Sequence, residues 1–249
     1  MASEADRSQD EVAELVGKLV TPEETDGAER RRLLGRLSRV LVDSAKKAKV
    51  AGPERGRWLA DVFMNIAPRL PIRDAATLQR HHYGLTGEQL ADDLVRTAAK
   101  GTMAVGAVGG ALAAAQFAAP PLLLSAPAQL VAETLVVAAI EVKLLAELHE
   151  VYGVQVPGNG TQRATAFAVA WARQRGVNPL APGSATLAIG AAAKTALRNR
   201  LMRTLGRHFT TLGPFFTGAI AGGTFNRVAT KKLAQAVRAD LRSRALPPA

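Results

Sequence analysis

The sequence predicts an all-α protein, a multi-helix bundle around a Gly/Ala-rich central helical hairpin. Three observations lead there. Apolar residues recur at helical spacing along the chain, and no stretch alternates with the period of two that a half-buried strand needs. The run from Gly101 to Gly153 contains two apolar arms separated by Pro120-Pro121 and Pro127, which one continuous helix could not absorb. Its first arm is made largely of Gly and Ala, small residues that let helix backbones approach closely.

The elements follow in chain order. Ser8-Gln-Asp-Glu11 has capping-box spacing and precedes Val12, Leu15, Val16, Leu19 and Val20, a stripe at helical period. Thr21-Pro22 marks a second helix start. From Ala28 to Val50, Leu33, Leu37, Val40, Leu41 and Ser44 share one face, while Arg32, Arg36, Arg39, Lys46 and Lys47 lie on the other. Gly52-Pro53 separates this helix from the next, Glu54 to Ile66, whose Trp58, Leu59, Val62, Phe63 and Ile66 form a core stripe ended by Pro68 and Pro71. A short helix is expected from Arg73 to Tyr83, stopped by Gly84. Thr86-Gly-Glu-Gln89 then opens a helix that leads through Leu90, Leu94 and Val95 into the small-residue arm.

The second arm, Ala128 to Tyr152, is rich in Leu and Val yet carries Glu133, Glu141, Lys143, Glu147 and Glu150. After a turn-rich connection, helices are expected over 161–175 and 184–207, the latter with Arg200, Arg203 and Arg207 on one face. The uncharged stretch 208–226 repeats the character of the hairpin. A last helix follows to about Arg244, with Arg227, Lys231, Arg238 and Arg242 on a shared face. Gly106 with Gly110, and Gly218 with Gly222, each place two glycines one helical turn apart, a spacing suited to close helix packing.

Charge divides the chain. Met1 to Glu29 carries nine acids and two bases, Arg30 to Arg73 twelve bases and three acids, and Gly183 to Ala249 eleven bases against Asp240 alone. The domain reading is therefore an acidic N-terminal helical segment, 1–27, and a single basic helical domain, 28–249, that contains the hydrophobic hairpin 101–153 and the second Gly-rich segment 208–226. Basic blocks of this kind suit an anionic membrane surface, an acidic protein or a nucleic acid. Cys is absent, which removes disulfides, thiolate metal sites and Cys nucleophiles. The first residues lack the basic start and apolar run of a secretory signal, so the expected location is the cytoplasm, including peripheral attachment at the inner face of the cell membrane.

Catalytic and cofactor motifs fail on inspection. Gly213-Pro-Phe-Phe-Thr-Gly218 has the glycine spacing of a phosphate loop, but Ala219-Ile220 stands where Lys and Ser/Thr would reach phosphate and magnesium. His149-Glu150 begins a zinc-protease pattern whose second His would fall at Gly153. His81 and His82 are adjacent on a helix and diverge by about 100°, so the pair alone does not chelate a metal. No catalytic residue, cofactor-binding residue or metal ligand is assigned, and no cofactor is implied. Glu133 and Glu141 stand out as candidate buried acids, because a carboxylate in an apolar helix is costly unless paired or exposed. Few aromatics lie among the basic residues, which argues against single-stranded nucleic-acid binding.

One resemblance adds to this reading. Ala119-Pro-Pro through Glu133, then Ile140-Glu-Val-Lys-Leu-Leu-Ala-Glu-Leu-His-Glu-Val-Tyr-Gly153, and later Leu212-Gly-Pro-Phe-Phe-Thr-Gly-Ala-Ile-Ala-Gly-Gly-Thr-Phe-Asn226, resemble the EcsC-like family and the related helical domain found beside Era-like GTPases. The likeness covers roughly Leu94 to Arg244, and the family often has Asp near the start of the second arm, where this chain has Glu133. The resemblance implies a bacterial helical protein, often membrane-associated, without an established catalytic activity.

The expectation is a non-enzymatic helical protein that associates with an anionic membrane surface or a membrane-protein partner through its basic helices. Two alternatives stand beside it: an integral or pore-like protein that inserts its two Gly-rich segments, and a soluble helical protein that binds an acidic partner or nucleic acid. Oligomeric state is not legible in the sequence.

Overall fold

The computed structural model describes residues 4–21, 25–47, 54–118, 126–174 and 214–245. Among these residues, eight α-helices span Glu4–Leu19 (α1), Gly27–Lys47 (α2), Glu54–Ile66 (α3), Ala75–His81 (α4), Gly87–Ala118 (α5), Ala126–Val151 (α6), Gly160–Gln174 (α7) and Pro214–Arg244 (α8). A 3-10 turn, Ala67–Arg69, follows α3, and no strand occurs among the described residues. The protein is an all-α helical bundle. The helix expected over 184–207, with Arg200, Arg203 and Arg207, and the hairpin tip lie outside the described residues.

Several boundaries differ from the motif reading, each for a local reason. Ser8 lies one turn inside α1, so it does not cap it. Asp26 caps α2: its Oδ1 accepts from the N–H groups of Ala28 and Glu29, both at 2.8 Å. Asp74 caps α4 in the same way, accepting from Thr77 N–H at 2.7 Å. At the other end of α4, Tyr83 takes the left-handed φ of 56°, followed by Gly84 at 79°, and Gly84 N–H donates to the Gln79 carbonyl at 2.8 Å. The Gly-rich stretch from Pro214 and the last basic helix are one continuous helix, α8, with Pro at its first position where a missing N–H costs nothing.

The α6 helix is the centre of the bundle. It packs against α1, α2, α4, α5, α7 and α8, and every residue from Ala138 to Leu148 is buried. Leu, Val, Ile and Ala fall on every side of α6, so it finds no stable place at a surface and the others enclose it, its few charged side chains included. The stripe of α1, Val12, Leu15, Val16 and Leu19, belongs to the same core as Leu34, Leu37 and Leu41 of α2 and Val142, Leu145 and Leu148 of α6. Phe63 of α3 closes against Trp171 of α7 with ring centroids 5.7 Å apart.

The most extensive helix pairing is between α5 and α8, the two Gly-rich helices, and exceeds that between the hairpin arms α5 and α6. They run antiparallel: Glu88 meets Arg242, Asp92 meets Arg238, and Thr102 meets Thr230. The backbones come close at Gly223, where a Cβ would lie 2.8 Å from the Met103 carbonyl oxygen. Asn226 Nδ2 donates to the Thr102 carbonyl at 3.2 Å nearby. Gly106 is buried on α5. The tight approaches that the structure describes fall at Gly109 and Gly223, each next to a pair named from the sequence; the packing around Gly110, Gly218 and Gly222 lies outside the described side chains.

Candidate functional site

Two parts of the fold hold charged chemistry: a polar spine inside the bundle and a basic surface on the α5/α8 pair. The spine lies on α6. Glu141 is fully buried and accepts hydrogen bonds from Trp171 Nε1 of α7 at 2.8 Å and from the Thr230 hydroxyl of α8 at 2.9 Å. Thr230 in turn lies 2.9 Å from the hydroxyl of Thr102 on α5, itself 3.3 Å from the Ala99 carbonyl. One carboxylate therefore ties four helices together. With Thr230 donating to Glu141, Thr102 donates to Thr230, so successive hydroxyl dipoles point toward the acid.

Glu133 is also buried, and its carboxylate rests where Gly109 has no side chain, in space that a Cβ there would fill. Gln129 Nε2 donates to Glu133 Oε1 at 2.8 Å and to the Gly109 carbonyl at 3.3 Å. Lower on α6, Lys143 and Glu147 form a buried ion pair one turn apart, and Glu147 also accepts from Arg73 N–H at 3.4 Å. Beside this pair is a crevice of about 30 Å³, lined among others by Thr21, His82 and Thr97, a volume that admits water and nothing larger. The spine has the character of a structural device. Thr21 and Arg73, which border this crevice, also line an open surface depression of about 600 Å³ between α1 and the 69–73 segment. Among the described residues, no three His, Asp or Glu side chains come together as a metal site.

His81 and His82 separate as their spacing requires. His81 is exposed, whereas His82 is buried with Nδ1 2.5 Å from Asp93 Oδ2. Burial opposes the charge of Asp93, and its bonds to His82 and Arg96 outweigh that, so the carboxyl stays below its usual range. Burial pushes the His149 imidazole below its usual value, and its Nδ1–H donates to the Leu145 carbonyl at 2.7 Å.

The basic residues named from the sequence divide into two groups. Arg36 is tied to Glu11 of α1 at 2.7 Å. Arg238 and Arg242 are tied to α5: Arg238 reaches Asp92 and Glu88 at 2.5 Å, Arg242 reaches Glu88 at 2.6 Å, and the Tyr152 hydroxyl donates to Glu88 at 2.9 Å while accepting from Arg238 Nε at 3.1 Å. These three cations fasten helices together. Arg32, Arg39, Lys46 and Lys47 of α2, and Arg227 and Lys231 of α8, are exposed. The structure adds Lys232 of α8 and Lys100 of α5 to that second group, both exposed. A helical projection of 227–242 would have found Lys232.

The acidic cluster has a pH signature. Hydrogen bonds from Arg242 first, then Arg238 and Tyr152, hold the Glu88 carboxyl down to about 2, against the desolvation that opposes them. A folded-state value below the unfolded one gives stability that is fully present above the ordinary carboxylate range and disappears as pH falls toward the folded value. Glu88→Gln is therefore expected to cost at most about 1 kcal/mol at neutral pH once solvent screening is counted. The difference from wild type should close between about pH 4.5 and 2, and urea unfolding across that range checks it. A gap that does not change with pH would contradict the assignment.

Among the described residues, no helix is long and apolar enough to cross a membrane. No family model, curated protein or solved structure matches this chain, so the EcsC-like resemblance stands on the quoted residues alone.

Proposed function

We propose that the protein attaches peripherally to an anionic membrane surface through its basic helices and performs this role without catalysing a reaction. The observation that carries the reading is the set of exposed cations left over after the internal ion pairs are formed: Arg32, Arg39 and Lys46 on α2, Lys100 on α5, and Arg227, Lys231 and Lys232 on α8. From Gly183 to Ala249 only Asp240 is acidic, and it pairs with Arg244 at 2.9 Å. Each cation held near an anionic leaflet contributes about 1 kcal/mol, and the attraction decays within a Debye length of about 8 Å at physiological salt. A handful of such cations acting together gives reversible, salt-sensitive binding. The apolar second arm, α6, is satisfied inside the bundle, which favours docking of the folded protein over insertion of the hairpin.

Flotation with liposomes tests this. The purified protein should float with vesicles that contain phosphatidylserine at low salt, stay at the bottom with pure phosphatidylcholine, and be released from the anionic vesicles by high salt. Failure to float with anionic vesicles at low salt overturns the proposal.

A further inference from the structure

We infer that Tyr83, in the turn between α4 and α5, is a lipid anchor whose ring enters the headgroup layer of an anionic bilayer, with Arg80 meeting lipid phosphates beside it. The inference rests on the membrane-docking reading and adds to it a residue that contacts lipid. Tyr83 is 98% exposed, the most exposed large apolar side chain among the described residues. Exposure of one such residue is ordinary on its own. What sets Tyr83 apart is its backbone. Its φ is 56°, the left-handed conformation that crowds Cβ against a carbonyl oxygen and that helices ordinarily give to Gly or Asn just after the C-cap, here His82. A bulky side chain at this position strains the turn and, standing in solvent, contributes no packing to the fold.

The turn itself holds the ring outward. Gly84 N–H donates to the Gln79 carbonyl at 2.8 Å and Leu85 N–H to the His82 carbonyl at 3.0 Å, two backbone bonds that close the chain around Tyr83. His82, just before it, is buried against Asp93, and Leu85, two residues after it, packs on the core. With both of these facing inward, Tyr83 is left on the outside of a fixed turn. Open space surrounds that turn, since a Cβ at Gly84 or at Gly87 would meet nothing within 4 Å.

Charge and shape select the occupant. The carboxylates at the start of α5 are each held by a cation: Glu88 by Arg238 and Arg242, Asp92 by Arg238, and Asp93 by His82 and Arg96. Arg80, in the last turn of α4, is exposed and donates to the Thr77 hydroxyl at 3.0 Å, with no ion pair among the described residues, so its charge is the one left to meet an outside anion. A specific protein interface needs about 20 residues a side around a central buried anchor. Beside Tyr83 the turn offers Gly84, Thr86 and Gly87, too little to build one. A bilayer needs no matching pocket, and Tyr suits its boundary, with an apolar ring and a hydroxyl that stays wet.

Tyr83→Gly separates a folding role from a binding role. It relieves the left-handed strain, so its urea midpoint should match or exceed that of wild type, while binding to phosphatidylserine-containing vesicles at low salt should weaken about fivefold or more. Tyr83→Trp should bind at least as tightly as wild type. The chain has no cysteine, so Tyr83→Cys can carry a single environment-sensitive fluorophore. That label should shift to the blue and brighten on vesicles that contain phosphatidylserine and stay unchanged with pure phosphatidylcholine. Undiminished binding of Tyr83→Gly, or a silent label at 83 on vesicles that the protein binds, overturns the inference and leaves membrane docking intact. A lower urea midpoint for Tyr83→Gly gives Tyr83 a folding role and overturns it as well. No flotation of the wild type overturns the docking reading itself.

Discussion

Lys143→Met is expected to destabilise the protein by about 3 to 5 kcal/mol, the range found when one partner of a buried ion pair is removed. Both side chains of the Lys143–Glu147 pair are nearly inaccessible, at 10% and 4% exposure, within the central helix α6. Met matches the stem of Lys in length, so the substitution changes charge with little change in packing and leaves Glu147 with the Arg73 N–H at 3.4 Å, a long contact for a lone carboxylate. The companion variant decides the cause. Lys143→Met with Glu147→Leu removes both charges and should regain most of the lost stability, because replacing a whole buried pair by apolar residues is close to neutral or better. Urea unfolding of the two variants and wild type measures this. A single variant that loses less than about 1 kcal/mol would mean that water in the adjoining crevice hydrates Glu147 and that the pair does not govern the stability of α6.

The second large effect is expected at Glu141. Glu141→Leu leaves Trp171 Nε1 and the Thr230 hydroxyl, on two different helices, without their acceptor in a dry interior, and each unmet group costs about 1 to 3 kcal/mol. A loss of about 2 to 5 kcal/mol follows. Glu141→Gln should be far milder. Its amide oxygen can still accept from Trp171, its NH₂ can donate to Thr230, and the hydroxyls then reverse, Thr230 donating to Thr102 and Thr102 to the Ala99 carbonyl. That variant should lose about 1 kcal/mol, the difference between charged and neutral hydrogen bonds. Equal losses for Gln and Leu would show that the hydroxyl chain does not reverse. Trp171 gives a second readout, since its fluorescence should change in the Leu variant and change little in the Gln variant.

Much of this architecture was legible before any coordinates. The stripe Val12, Leu15, Val16, Leu19 is buried, the helix Glu54–Ile66 has the bounds its flanking Gly-Pro and Pro signals mark, and the Lys143–Glu147 contact follows from their spacing on one helix. Such features are local: period, breakers and i to i+4 geometry act within a few turns. The capping reading missed at α2, where Asp26 and not Thr21-Pro22 supplies the oxygen that the first N–H groups need.

The sequence by itself determined the helical class, the Leu- and Val-rich character of α6 and the excess of cations, because each depends on residue type and short-range spacing. Only the tertiary structure decided which cations remain available. Arg36, Arg238 and Arg242 look the same as Arg227 and Lys231 on a helical projection, yet Glu11, Glu88 and Asp92 come to the first three from elsewhere in the chain. It also decided that the closest partner of the first Gly-rich helix is the second, with Thr102 and Thr230, 128 residues apart, in contact and Met103 set against Gly223. The reason is physical: small-residue faces and buried hydrogen bonds such as Thr102 to Thr230 form only once distant helices meet, and no local pattern specifies which face will meet which.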